Sequence, residues 1–457
     1  MRLSCSFLLA VVSLAAEPAD WIWSGRYVLT AAGARRVIEN GAVAVRGERI
    51  VAVGPRVEID RRFQAKQRLD RPDALLAPGL INTHTHAAMS LLRGVADDLR
   101  LQDWLEKFIF PAEAKNVSPE FVRWGTKLAC AEMLLGGTTT FTDMYYFEDV
   151  VAEAAKEAGM RGVLGETIIG FPVADARTPA DSLKLAESLL TRFAKDPLIV
   201  PAVAPHAIYT NSDETLKASR ALANRFGAPL LIHLSETKRE NDETIARRKM
   251  SPTRALESLG MFNGRTLAAH AVWMDSADLE ILRVRRAGVA HCPSSNMKLS
   301  SGVAPVLRMR ALGIHVGLGP DGPAGSNNDL NMFEEMDLAA KLQKVMSQDP
   351  QSLPASAVFD MATMGGARAL GLEREIGSLE PGKRADMISV ALDQPHAAPL
   401  YEPVSQMVYA LKASDVRDVM VNGKPVVRDR RILTLDLKQV LSKAEEFRGR
   451  IKASLKK

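Results

Sequence analysis

Two histidines separated by one residue, His84 and His86, close the run Pro78-Gly79-Leu80-Ile81-Asn82-Thr83. In a strand, residues i and i+2 project from one face, so this spacing sets two imidazoles side by side at a strand end. Neutral imidazole is the commonest biological metal ligand. His233 ends a second apolar run, Leu230-Leu231-Ile232, and Asp321 ends a third, Gly317-Leu318-Gly319-Pro320. Three ring nitrogens and one carboxylate suit a single divalent ion, zinc first and iron second, with room left for a water. Such an ion lowers the pKa of its water toward neutrality and makes a nucleophile. Glu236, three residues after His233, has the reach of a proton shuttle. Its competing role is negative charge at the start of the next helix, with Ser235 as the cap. His270, after Thr266-Leu267-Ala268-Ala269, is placed to hold or polarise the activated water.

Something has to bring these residues together. From about residue 76 to 322, strand-like runs alternate with helical stretches at 120–135, 148–160, 212–226, 252–260 and 276–287. The runs end at His84/His86, Thr142-Asp143, Glu166-Thr167, His206, His233 to Glu236, His270, His291 to Ser294 and Asp321. Eight such repeats predict an α/β fold, a (β/α)8 barrel of the TIM type, with chemistry at the carboxyl ends of its strands. An open doubly wound sheet is disfavoured, since no Gly-rich dinucleotide loop follows an early strand. The barrel is expected over 76–371. The flanks, 17–75 and 372–435, carry short strands and hairpin signals at Arg46-Gly47 and Asn422-Gly423, which predict one small β-sandwich built from both. Residues 436–457 predict a packed helix with Leu437, Val440, Leu441, Ala444, Phe447 and Ile451 on one face.

Residues 1–16 read as a short secretory signal: Arg2, an apolar run from Phe7 to Val12, then Ser13-Leu14-Ala15-Ala16. The expected location is periplasmic or secreted if that signal is used, and cytoplasmic otherwise. Beyond it only Cys130 and Cys292 remain, far apart, which gives no disulfide framework. The net charge of +5 is small for 457 residues and no basic cluster carries interleaved aromatics, so nucleic-acid binding is not indicated. No apolar run reaches the ~20 residues of a membrane span. A small-molecule substrate and a homo-oligomer are expected.

The ordered set of Pro78-Gly79 to His86, Ala204-Pro205-His206, His233-Leu234-Ser235-Glu236, Ala269-His270, His291-Cys292-Pro293-Ser294-Ser295-Asn296 and Leu318 to Gly322 resembles the amidohydrolase superfamily. Within it, the chain is similar to the aminohydrolase branch of methylthioadenosine/S-adenosylhomocysteine deaminases, cytosine and guanine deaminases and triazine hydrolases. The resemblance spans about residues 20 to 435 and implies one metal. The run Ile199 to His206 has no lysine, so the carbamylated bridge of two-metal relatives is absent there. Ala87 to Asp98, Trp104-Leu105 and Pro111-Ala112-Glu113 most resemble the methylthioadenosine/S-adenosylhomocysteine deaminases. The resemblance implies that Trp104 lines a nucleoside pocket, Glu113 receives ribose hydroxyls and His206 contacts the substrate. Glu166 stands where relatives of this type carry an arginine, which favours a neutral or cationic 5′ group over a carboxylate-bearing tail. The stretch Gly322 to Asn328 resembles the loop after the metal aspartate, one residue longer than the common form.

The implied reaction is hydrolytic deamination of an adenosine-like 6-aminopurine nucleoside. Activated water adds next to a ring nitrogen that Glu236 protonates, Asp321 relays the water's proton, and ammonia leaves. Hydrolysis of another heterocycle at the same site is the alternative. A non-catalytic barrel is a remote one, since the full ligand set is present.

Overall fold

The computed structural model describes residues 16–32 and 37–456. Apart from Ala16, the expected signal segment lies outside the described residues. Eight parallel strands close a barrel: β5 (Leu80–Thr85), β6 (Thr138–Tyr145), β7 (Arg161–Ile168), β8 (Ile199–Pro205), β9 (Leu230–Leu234), β10 (Thr266–His270), β11 (Gly288–His291) and β12 (Val316–Leu318). These are the eight runs expected from the sequence. Strands β5, β6 and β7 are buried along their whole length, because helices cover the outside and side chains fill the inside. The inner layer includes Ile81, Val163, Ala202, Leu231 and Leu267, closed below by Ala367, Leu370 and Ile376. The outward residues Leu164, Leu230 and Ile232 join the larger core under the helices.

The flanks meet in one eight-stranded sheet. Its N-terminal part is β1 (Glu17–Leu29), β2 (Val37–Arg46), β3 (Arg49–Pro55) and β4 (Phe63–Pro78). Its C-terminal part is β13 (Met387–Ala391), β14 (Val416–Val421), β15 (Lys424–Arg428) and β16 (Arg431–Ile432). The strand order is β16-β15-β14-β13-β4-β1-β2-β3. Both hairpin turns form as expected. Asn422 and Gly423 have φ of 50° and 77°, the left-handed pair that a two-residue turn between twisted strands requires. The β2–β3 turn lies beside the start of β1 and the β14–β15 turn beside the end of β4, so in a flat sheet they would sit at opposite ends. Here the sheet curls until they touch, and a Cβ on Gly423 would sit 2.0 Å from the Gly47 carbonyl oxygen. The sheet is tied to the barrel by a buried ion pair, Arg161 Nε to Asp386 Oδ2 at 2.9 Å.

The helix Leu437–Leu455 packs on the helix Pro119–Leu135, with the Phe447 and Phe121 rings edge to face at 5.7 Å. Its buried stripe is Val440, Phe447 and Ile451. Leu441, expected on that face, is half exposed. A stripe narrower than the apolar pattern suffices to dock it on the helix Pro119–Leu135 and on the helix Phe110–Asn116. No helix among the described residues is long and apolar enough to cross a membrane.

Candidate active site

The carboxyl ends of the strands bring the predicted ligands together. His84 and His86 leave β5 with ring centroids 5.0 Å apart, and His233 at the end of β9 lies 4.9 Å from His84. Asp321 Oδ1 is 3.2 Å from His84 Nε2 and 3.4 Å from His86 Nε2. Among the described residues, two groups hold donor atoms close enough to share one ion: His84, His86 and Asp321, and His84, His233 and His270. His86 Nδ1 donates to the Met144 carbonyl at 2.7 Å, and His233 Nδ1 to the His206 carbonyl at 2.8 Å. A carbonyl only accepts, so both rings carry their proton on Nδ1 and keep the Nε2 lone pair free.

His84 Nε2 is buried without a hydrogen bond. An unpaired buried polar atom is costly, and several donors converging on one point is what a cation requires. The residues therefore fit a divalent ion. Burial draws His84 down to about 4 and, with the neighbouring imidazoles, holds His233 well below its ordinary value. Both are neutral, the ligating form. Burial also lowers His86, but the Asp321 carboxylate outweighs it and raises that ring to about 9. Burial pushes Asp321 up, yet His84 and His86 keep it well below the carboxylate range. The centre thus favours positive charge, which a bound cation would supply.

Around these ligands stand groups that can move protons. Glu236 is buried, which raises its carboxyl, and its Oε2 is 4.0 Å from His270 Nε2. It does not serve the next helix: Thr237 caps Lys238–Arg248 through the Glu240 amide, and Ser235 caps nothing. Glu240 reaches back instead, its two oxygens accepting from the Ser235 and Glu236 amides at 3.1 and 2.8 Å. His270 Nδ1 is paired with Asn296 Oδ1 at 3.0 Å, and Ser295 Oγ donates to Asp321 Oδ2 at 2.7 Å. The backbone turns left-handed at Ser235, His270 and Asp321, with φ of 49°, 70° and 66°. Non-glycine residues pay strain for this, and such strain clusters where side chains are aimed for function.

The centre opens into a pocket lined by His86, His233, Asp321, Glu236 and His270 on one side and by Trp104, Glu113 and His206 on others. Trp104 Nε1 donates to the Ala324 carbonyl at 2.9 Å. Glu113 accepts from Tyr145 Oη at 2.6 Å, and burial raises it to about 7. The His206 ring lies 4.7 Å from that of His233. Sequence reasoning missed Tyr145, Tyr209, Ile109 and Phe110, which also line it; only their apolar or aromatic type inside the stretches beside the quoted motifs could have marked them.

Glu166 is a correction. Val163 belongs to the barrel interior and Leu164 to the outer core, so alternation along β7 turns Thr167 inward and Glu166 outward. Thr167 lines the pocket. Glu166 accepts from the Glu148 amide at 3.0 Å, behind the barrel wall. Burial and the nearby Asp175 raise its carboxyl well above the ordinary range. Turned away from the pocket, Glu166 sets no preference for the 5′ group.

The model of the Amidohydrolase family matches residues 75–426. The chain belongs to the amidohydrolase family. A model of an imidazolonepropionase-like composite domain of bacteria matches residues 41–63. The chain is 45% identical over 440 residues to the 5-methylthioadenosine/S-adenosylhomocysteine deaminase 1 of Syntrophus aciditrophicus, covering 96% of this chain and 99% of that one. It is 46% identical over 434 residues to the enzyme of the same name from Syntrophobacter fumaroxidans, covering 95% and 99%. Among solved structures it resembles an adenosine deaminase from Xanthomonas campestris with bound zinc, with a TM-score of 0.94, 40% identity and coverage of 96% of this chain and 100% of the other. This amidohydrolase thus matches deaminases along nearly their full length.

Proposed function

We propose that the protein is a zinc-dependent hydrolytic deaminase of adenosine-type nucleosides, converting the 6-aminopurine to its inosine analogue and ammonia. The observation that carries this reading is the buried cluster of His84, His86, His233 and Asp321 opening, beside Glu236 and His270, into a pocket walled by Trp104 and Glu113. His84, His86, His233 and Asp321 would hold the ion. A divalent cation there supplies Lewis acidity and brings the pKa of a bound water toward neutrality.

The chain's own groups handle the protons. Burial raises the Glu236 carboxyl, which favours its giving a proton to the ring nitrogen beside the attacked carbon. Asp321 takes a proton from the attacking water and returns it to the departing amino group, which leaves as ammonia. The water's oxygen stays on the ring carbon as the product carbonyl, the carbon–nitrogen bond breaks, and the remaining hydroxyl proton returns to Glu236, so atoms and protons balance. Asn296 fixes the His270 ring with Nε2 toward Glu236, where it can orient the attacking oxygen. Trp104 offers an apolar face for the purine, and Glu113 offers acceptors for ribose hydroxyls. His206 and Thr167 complete the wall.

The test is ammonia release by the zinc-loaded protein from methylthioadenosine, 5′-deoxyadenosine, adenosine, S-adenosylhomocysteine, guanine and cytosine. Turnover of a nucleoside is expected. Turnover of guanine or cytosine alone would replace this reading with that of another heterocycle hydrolase.

A further inference from the structure

We infer that the pocket selects nucleosides with a small, uncharged 5′ group, of the methylthioadenosine and 5′-deoxyadenosine kind, and discriminates against S-adenosylhomocysteine. This rests on the nucleoside reading above and narrows it. Two of the relatives are named for both substrates, and the lining of this pocket favours one of them.

Among the described residues that line the pocket there is no lysine or arginine, and the ionisable groups besides histidines and tyrosines are three carboxyls, Glu113, Glu236 and Asp321. The homocysteine tail carries an ammonium and a carboxylate. A carboxyl can meet the first. The second would lose its water without gaining a charged donor, and a carboxylate stripped of solvent is strongly disfavoured. A tail placed anywhere in the pocket meets this same lining.

One wall suits the alternative substrate. The segment from Leu101 to Asn116 is two helices joined by a π-helical turn, Leu105–Ile109. It presents Leu101, Leu105, Ile109 and Phe110 to the pocket, with Met89 beside them. These are contacts for a methyl thioether, whose sulfur also packs well against an aromatic ring. Phe110 is braced edge to face by Phe171 at 5.3 Å. The cations nearby are otherwise placed. Lys298 is bound to Asp97 and to the Gly325 carbonyl at 2.7 Å. Lys107 and Arg239 are exposed and paired with Asp103 and Glu243, and Arg100 is exposed outside the lining.

The experiment compares kcat/KM for methylthioadenosine, 5′-deoxyadenosine, adenosine and S-adenosylhomocysteine with the zinc-loaded full chain, and repeats it with Leu105→Arg and Phe110→Ala. Methylthioadenosine should exceed S-adenosylhomocysteine by roughly tenfold or more, the scale at which an unpaired buried polar group is rejected. Leu105→Arg should narrow that ratio. Phe110→Ala should raise KM for methylthioadenosine more than for adenosine. Equal or better turnover of S-adenosylhomocysteine by the unaltered protein overturns the inference and leaves the nucleoside reading standing. Failure of all four nucleosides, with another heterocycle deaminated, removes the reading itself.

Discussion

Ser295 Oγ donates to Asp321 Oδ2 at 2.7 Å while the other carboxylate oxygen, Oδ1, faces His84 and His86. The serine thus fixes which oxygen is free for the metal side and which is already occupied. Groups that orient a ligand in this way commonly contribute ten- to hundredfold in metal affinity or activity, as an order of magnitude. Ser295→Ala should leave the protein folded and lower zinc affinity or kcat by about tenfold. Zinc titration with steady-state kinetics checks it, and wild-type values in both would show that the contact is idle.

His84→Ala, His86→Ala, His233→Ala and Asp321→Ala should each lose bound metal or nearly all turnover. Elemental analysis of the unaltered protein should find about one equivalent per chain, the number one such donor set holds. Two tightly held equivalents would contradict a single-ion centre.

Glu236→Gln should retain metal and much of the substrate affinity while kcat drops roughly 10²-fold, the usual scale for general acid–base catalysis. Glu240→Ala acts one step removed, since its carboxyl pins the Ser235 and Glu236 amides. It should lower kcat with little change in KM or zinc content, and Glu240→Gln, which can still accept through one oxygen, should recover part of the loss. Equal losses in metal content for Glu240→Ala would mean that it merely supports the fold.

Glu113 gives a stability prediction with a definite sign. Burial raises its carboxyl from 4.5 to about 7, so the folded chain binds this proton more tightly than the unfolded one. Its contribution is fully present below pH 4.5 and is lost as pH rises toward about 7. Glu113→Gln should therefore flatten the fall in melting temperature across that window. Parallel Tm-against-pH curves for the two proteins would rule the assignment out.

The barrel and the convergence of His84, His86, His233 and Asp321 are legible because metal-type side chains stand at the ends of apolar runs, and a barrel gathers strand ends. The hairpins were legible from turn chemistry at Arg46-Gly47 and Asn422-Gly423. Glu166 was misread for a physical reason: β7 is buried on both faces, so no apolar–polar alternation reveals which residues face inward. Ser295 and Asn296 were visible in a motif, but their partners Asp321 and His270 sit on other strands, so their roles had no local signal. The left-handed turns at His270 and Asp321 are only weakly marked, because His and Asp are enriched at positive φ yet adopt it at few of their positions.

The strand order of the flanking sheet has a consequence for biosynthesis. β4 runs directly into the first barrel strand, yet one of its edges is completed only by β13, pairing Leu75 with Val390 and Leu76 with Ser389. While the chain emerges from a ribosome, that edge stays open until nearly all of it has been made. A release before residue 387 would leave an apolar strand with unpaired amides, a template for joining another chain. Truncated products should therefore aggregate even where every catalytic residue has already been translated.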